Sequence, residues 1–387
     1  ARGARADVRA GAVSATNIVG YRNLIGVTEA TNRLAFGQIG LELAPRAGGA
    51  RVEATVLTGT RPSEAGFTQG QISDADRSRG VAARFVASDA RGRIRLDAGV
   101  ATTRAEHQGD PLLEQGLAVV PIDDRTAQAR HLDVGADVVR RTTASGLAAS
   151  LTTSYRFERV DPFFRSVGAA QSVRSDVEQH VAETSVAVGG LTGIVSHTWS
   201  RDNISDIPSI LTTDSRLLSA TAGLPSGGLR PASARPWWPA LAYGLTISSQ
   251  VGRGLPSNSG FNSASQVPDQ RNVTHTTRVE WSFQPWRVSY AFNRSLSDNR
   301  QPGRERADFV AAAHQVSLGA AAARADASVD VSREQSTARE FNDLSQTTRF
   351  GGTLNWRVTP RHGIGTFASW SRANGTTSGV NTSTNLH

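Results

Sequence analysis

Histidine is the side chain of this sequence best suited to acid–base chemistry, and four histidines lie within strand-like segments: His180, His197, His275 and His314. An imidazole titrates near neutral pH, but catalysis also needs a nucleophile or a carboxylate held beside it. The sequence contains no Gly-x-Ser-x-Gly elbow, phosphate-binding loop, HExxH pair or dinucleotide fingerprint. We therefore expect packed or solvated histidines, and no enzyme, catalytic residue, cofactor or metal site.

Charged residues offer a second kind of chemistry, because they recur at every second position of several segments. Such a period places them on one face of a β-strand. We expect the following side chains to share one charged face, which would line the lumen if the strands form a barrel: Arg84, Arg93, Arg95, Asp97, Asp133, Asp137, Arg156, Glu158, Arg278, Glu280, Arg287, Arg324, Asp326 and Asp330. The mixture of signs indicates a salt-bridged lattice rather than a filter of one sign.

The segment from Arg271 to Asn299 shows best how strands would position these charges. Thr277, Val279, Trp281 and Phe283 alternate with polar residues before Gln284-Pro285, and Trp286, Val288, Tyr290 and Phe292 do so after it. This pattern predicts a hairpin with one apolar and one polar face. A soluble sandwich would bury the apolar face, whereas a transmembrane barrel would turn it toward lipid.

The lengths of the connections distinguish these two architectures. Short connections alternate with long ones, among them a predicted loop from Glu334 to Ser345, through nearly the whole sequence. Only Gly223–Ala240 breaks the rule. An outer-membrane barrel has short turns on one side and long loops on the other, whereas a sandwich has no reason to keep this parity. We predict one domain over residues 1–387, weakly patterned at 1–32, with a polar tail at 372–387 and at least one strand missing from the sequence.

Composition excludes several other classes of protein. There is no cysteine and no methionine, the 42 basic residues are all arginine, and the net charge is +8. The arginines are spread along the chain among 34 acidic residues, so we expect no nucleic-acid partner. No stretch approaches the roughly 18 consecutive apolar residues of a transmembrane helix.

Three similar segments follow predicted strands: Trp199–Asn203, Leu296–Asn299 and Trp370–Asn374. They could form a repeated ligand site. Aspartate and asparagine also end strands by capping their own turns, which we regard as the better interpretation.

In this alternation the chain resembles bacterial outer-membrane β-barrel proteins of porin-like size. The resemblance implies an all-β, up-and-down antiparallel transmembrane barrel of about 16–18 strands, with short turns on one side and long loops on the other. It also implies an aromatic girdle formed by Tyr155, Phe157, Trp199, Trp281, Phe283, Trp286, Tyr290 and Trp370.

The resemblance further implies a place in the bacterial outer membrane, with the lipid bilayer as the main partner. Expected roles are a passive pore or the anchoring barrel of a larger surface assembly, with other subunits or copies of the same chain as further partners. The alternative is a soluble or surface-exposed β-rich structural protein or adhesin.

Overall fold

The computed structural model describes residues 5–15, 32–43, 48–61, 76–107, 125–162, 164, 176–208, 211–229, 238–255, 266–301, 308–359, 362–376 and 379–386. Within these ranges the regular structure consists of 18 strands. In chain order they are β1 (Arg5–Ala15), β2 (Asn32–Glu42), β3 (Ala50–Arg61), β4 (Asp76–Ser88), β5 (Ile94–His107), β6 (Arg125–Thr142), β7 (Ala148–Val160), β8 (Val177–Val188), β9 (Leu191–Asp202), β10 (Thr212–Leu224), β11 (Ala240–Arg253), β12 (Asp269–Phe283), β13 (Trp286–Asn299), β14 (Phe309–Ala321), β15 (Ala325–Ala338), β16 (Asp343–Thr359), β17 (His362–Gly375) and β18 (Gly379–Leu386).

The strands form one antiparallel sheet in which each strand is hydrogen-bonded to the next along the chain. This up-and-down order confirms the predicted all-β architecture. The β12–β13 hairpin has the predicted turn, with Phe283 opposite Trp286 across Gln284 and Pro285. No helix among the described residues is both long and apolar enough to cross a membrane.

Two sequence-based boundaries were wrong, both at polar strand ends. The predicted polar tail contains β18, which pairs with residues Ala368–Gly375 of β17. The predicted loop from Glu334 to Ser345 is mostly strand, because β15 and β16 continue until only residues 339–342 remain between them. Threonine in β18, and glutamine and threonine at the ends of β15 and β16, occupy apolar-face positions there, so backbone pairing continues without a hydropathy signal.

The chain divides into two compact units. The first comprises residues 1–136, 154–181 and 200–212, and the second comprises residues 137–153, 182–199 and 213–387.

Both faces of the second unit can be followed across β12–β17, because residues directly opposite in antiparallel neighbours point to the same side. One row contains Val279, Tyr290, Val316, Val331, Phe350 and Trp370, and the next toward the short turns contains Trp281, Val288, Leu318, Val329, Gly352 and Ala368. We call this the apolar face and its opposite the polar face. Alternation along each strand therefore separates the two kinds of side chain completely over these rows.

The first unit repeats the separation on β3, β4 and β5. Val56 lies opposite Val81 on its apolar face, whereas Glu53 lies opposite Arg84 on its polar face. The valines are 57% and 58% exposed. Large apolar side chains therefore remain uncovered in this unit.

Candidate functional site

The polar face of the first unit carries a continuous series of ion pairs, which begins on β1. Arg51 Nη2 lies 2.8 Å from Asp7 Oδ1, and Arg51 Nε donates to Glu53 Oε1 at 2.7 Å. Glu53 Oε2 is in turn 3.9 Å from Arg84 Nη1 on β4. Alternating signs thus connect β1, β3 and β4 at one level of the sheet.

The same series continues over β5 to β6. Arg84 donates twice to the Asp97 carboxylate, at 2.9 and 2.5 Å, and Asp97 Oδ1 lies 3.2 Å from His131 Nε2. We call the chain Asp7–Arg51–Glu53–Arg84–Asp97–His131 the charge ladder. Each carboxylate of the ladder contacts two cationic or potentially cationic groups, so the ladder is a lattice of mixed sign.

Two glycines make room for the charge ladder. Gly40 lies opposite both Asp7 and Glu53, and a Cβ at this position would overlap the Arg51 guanidinium. Gly99 lies opposite Arg84 and His131, and a Cβ there would overlap the His131 imidazole. The ladder therefore crosses these strands at positions that lack a side chain.

Other predicted charged residues of this part of the chain lie on the same side of their strands. Arg95 and Asp97 are two residues apart on β5, and Asp133 and Asp137 are four apart on β6. Arg156 Nε donates to Asp133 Oδ1 at 2.6 Å, and Glu158 shares the face of Arg156. Arg93 lies outside the strands, in the turn before β5. Asp89 Oδ1 closes this turn by accepting a hydrogen bond from the Ile94 amide at 2.8 Å.

In the second unit the predicted charges form smaller clusters on the polar face. Glu280 is 3.1 Å from Arg278 and 3.3 Å from Arg287. Asp326 accepts from Asn355 at 2.8 Å, and Asp330 lies opposite Ser317. Arg324 lies in the connection before β15, outside the strands.

A concavity of about 650 Å³ lies on the polar face of this unit. Small residues such as Ala291, Ala313 and Ser332 form its floor, and Arg278, Glu334 and Arg349 are among the longer side chains that line it. The groove therefore offers hydrogen-bonding groups and both charge signs to a polar solute.

Pairs of tyrosine and histidine recur on the apolar side of the strands. Tyr243 Oη lies 2.9 Å from His275 Nδ1, and Tyr290 Oη lies 2.9 Å from His314 Nδ1. Phe292 lies opposite His314, with ring centroids 4.8 Å apart. These histidines are therefore packed against aromatic rings.

The first unit contains the same arrangement. Tyr155 Oη is 2.7 Å from His180 Nδ1, and the Phe157 and His180 ring centroids are 5.0 Å apart. Sequence reasoning did not find these pairs, because the partners lie on different strands and meet diagonally. In the sequence, Tyr155 and Tyr290 are each followed two positions later by a phenylalanine. The histidine partner can be identified only when the strand register is known.

The predicted girdle residues occupy several levels of the apolar face. Phe283 and Trp286 lie opposite each other beside the short turn, and Trp281 lies one row further along. Tyr290 and Trp370 share a row with Phe350. Trp199 lies in β9, three residues before its end. Aromatic side chains are therefore not confined to two rings.

Two of the three strand-end asparagines cap turns, whereas Asn374 lies within β17 and accepts from Arg372 Nε at 3.3 Å. Asn203 is 2% exposed, accepts from the Ile207 amide at 2.7 Å and donates to Thr212 Oγ1 at 2.9 Å. Asn299 accepts from the Gln301 amide at 3.1 Å. These contacts support the capping interpretation over a repeated ligand site. Among the described residues, no group of three or more histidine, aspartate or glutamate side chains could hold a metal ion.

Comparison with known proteins gives little beyond this geometry. No protein-family model matches the sequence, and no curated protein matches it. Among solved structures, the chain is similar to the crystal structure of Acinetobacter baumannii OccAB2, at 10% sequence identity and a TM-score of 0.31. The match covers 92% of this chain and 90% of that chain.

Proposed function

We propose that the sheet closes into a transmembrane barrel in a bacterial outer membrane and acts as a passive pore for small polar solutes. The polar face lines the lumen and the apolar face contacts lipid. The protein is not an enzyme in this proposal. Where the barrel belongs to a larger surface assembly, other subunits or further copies of the chain dock on its rims.

The observation that carries the proposal is the exposed apolar face. Among the described residues, the buried hydrophobic side chains are only Ala105, Ala127, Val160 and Val267. By contrast, Trp286 is 45% and Ile364 is 61% exposed. A water-soluble protein buries most of its large apolar side chains, and a broad uncovered apolar surface indicates contact with another apolar phase. A lipid bilayer supplies that phase.

The placement of charge supports the same orientation. A charged arginine on the lipid side of a barrel costs roughly 2–4 kcal/mol at the bilayer midplane. On the water-filled side the same group stays hydrated, and an exposed ion pair changes stability by only about 0–1 kcal/mol. Arg278, Glu280 and Arg287 lie on the polar face, on the other side of the sheet from the apolar rows. The proposed orientation therefore keeps these charges out of the lipid and avoids the larger cost.

Conductance in planar lipid bilayers tests the proposal. Purified protein, refolded in detergent, is expected to insert and to produce discrete, stable current steps. A protein that remains dispersed without detergent and leaves the bilayer silent would instead fit the soluble structural or adhesin alternative. Insertion without conductance would contradict the pore function and favour a barrel that only anchors a larger surface assembly.

A further inference from the structure

A second, smaller concavity of about 280 Å³ lies in the second unit, at the ends of β10–β13 away from the short turn at Gln284-Pro285. We call it the rim pocket. Arg271 is four residues from His275 on β12, so both point to the same side of the sheet. The charged residues of the lining are Asp214, Arg216, Arg253, Asp269, Arg271 and Arg300.

The rim pocket lies beyond the apolar rows. Along β12, the step from Trp281 to Arg271 covers roughly 33 Å of extended strand. In a strand tilted by about 40° this is a rise of roughly 25 Å, which equals the height of the apolar band of an outer-membrane barrel. Under the proposed orientation the pocket therefore opens to water, outside both the hydrocarbon layer and the lumen.

Asp214 gives the rim pocket a buried acceptor. The residue is 6% exposed, and its Oδ2 pairs with Arg253. Its Oδ1 is also buried, and no group of the described residues donates a hydrogen bond to it. A buried carboxylate oxygen without a donor destabilises the fold, so such an oxygen in a native protein calls for an explanation. An O–H or N–H group of a ligand in the pocket would supply the donor.

Two arginines of the rim pocket have the opposite need. Neither Arg216 nor Arg271 forms an ion pair within the described part of the chain. Arg271 lies opposite Asp298, but Arg300 binds that carboxylate at 2.6 Å. Because the lining has four arginines and only two aspartates, it attracts an anion and repels a cationic donor such as an ammonium group. A guanidinium holds a planar oxyanion through two parallel hydrogen bonds.

We infer that the rim pocket binds a small hydroxylated organic anion of the sugar-acid class. Its anionic group lies between Arg216 and Arg271, and one of its hydroxyls donates to Asp214 Oδ1. The neutral hydroxyl meets the need of the buried oxygen without placing a second cation among the arginines. The volume of about 280 Å³ is just below the roughly 300–1,000 Å³ typical of drug-sized ligands, which suits a monosaccharide. The site lies apart from the polar face, so it does not depend on conduction through the lumen.

Isothermal titration calorimetry of the full chain in detergent tests the inference, with glucuronate as the probe. Glucose lacks the anionic group and propionate lacks the hydroxyls, so each is expected to bind about tenfold more weakly than glucuronate. Arg271→Gln should weaken the binding of both anions about tenfold. Asp214→Asn should reduce the selectivity for glucuronate over propionate about tenfold, a ratio in which the general effect of the lost charge cancels. Asp330→Asn and Arg372→Gln remove the same charges elsewhere and should bind as the wild-type protein does.

Three results would overturn the inference. One is the absence of glucuronate binding by the wild-type protein, and another is an unchanged selectivity ratio in Asp214→Asn. The third is binding that survives both rim-pocket substitutions but is lost in Arg349→Gln, which would assign the probe to the groove on the polar face. The urea midpoint of each variant shows that it is folded. A protein that binds glucuronate but never conducts contradicts only the pore, whereas one that conducts without binding glucuronate contradicts only the rim pocket.

Discussion

At the scale of single residues, the charge ladder depends as much on missing side chains as on charged ones. Gly40 and Gly99 lie under its guanidinium and imidazole groups, where any Cβ would collide with them. Gly135 faces the same side, opposite Arg95, but an added Cβ would meet nothing within 4 Å. Gly40 and Gly99 therefore make space for the ladder side chains, whereas Gly135 does not.

Replacing Gly99 by alanine is expected to displace His131 and break its 3.2 Å contact with Asp97. Alanine normally stabilises a strand by roughly 0.5–1 kcal/mol relative to glycine, and we expect Gly99→Ala to lose this gain. Gly135→Ala should keep the gain. The urea midpoint of unfolding in detergent or lipid vesicles measures both, and equal midpoints would show that the ladder tolerates a side chain at Gly99.

At the scale of strands, neighbouring residues on one strand face different surroundings. Val331 lies in the apolar row farther from the short turns, between Val316 and Phe350, whereas Ser332 lies opposite Gln315 and Arg349 on the polar face. One step along β15 therefore changes the environment from apolar to polar. This contrast allows the proposed orientation to be measured with a single type of substitution.

Val331→Arg is expected to destabilise the folded protein in lipid vesicles by roughly 1–3 kcal/mol, between the cost at the bilayer midplane and the cost at its interface, because the charge enters the hydrocarbon layer away from the midplane. Ser332→Arg should change the free energy of unfolding by no more than about 1 kcal/mol, because its side chain stays hydrated. Denaturant titration in vesicles provides the comparison. A penalty of equal size at both positions would contradict the assignment of the two faces.

The β4–β5 turn contains a pH-sensitive contact. The hydrogen bond from the Ile94 amide holds the pKa of the exposed Asp89 carboxyl below its ordinary value. Because the folded pKa is lowered, the contact contributes its full stability above the unfolded pKa of about 3.9 and loses it as the pH falls through the folded value. The difference in urea midpoint between wild-type protein and Asp89→Asn should therefore shrink below about pH 4. A difference that stays constant from neutral to acidic pH would exclude this role.

Much of the strand order could be predicted from residues, and the limits have physical causes. The hairpin from Asp269 to Asn299 was predictable because large apolar residues alternate with charged ones on both of its strands. Strand β18 was not, because its Asn-Thr-Ser-Thr-Asn segment has two polar faces. The tyrosine–histidine pairs and the charge ladder depend on which residues of different strands lie opposite each other. The pattern of residues within one strand does not determine that register.

At the scale of the whole molecule, the charges expected on one polar face include both signs, and Arg93 and Arg324 of this set lie outside the strands. Of the fourteen charges expected to share it, seven are arginine and seven are aspartate or glutamate. Their pairing in ladders and clusters produces local fields of opposite direction rather than one ring of like charge. A pore lined in this way discriminates weakly between small cations and anions.

The reversal potential in a potassium chloride gradient is therefore expected to lie near zero. The double substitution Glu53→Gln and Asp97→Asn removes both carboxylate partners of Arg84 and leaves Arg51 with Asp7 alone, so it should shift the reversal potential toward anion preference. Glu340→Gln, in the connection between β15 and β16, removes one negative charge outside the strands and serves as the control. An unchanged reversal potential in the double variant would show that the ladder does not face the conducting path.

The short connection between β15 and β16 has a practical consequence for sidedness. It spans residues 339–342, and its Phe341 side chain is 77% exposed. An epitope tag inserted beside Phe341 would lie on the rim shared with the long connections, without lengthening any strand. Antibody binding to intact cells would then report which rim faces outward. Under the proposed orientation, a tag at Gln284-Pro285 would become visible only after the cells are opened.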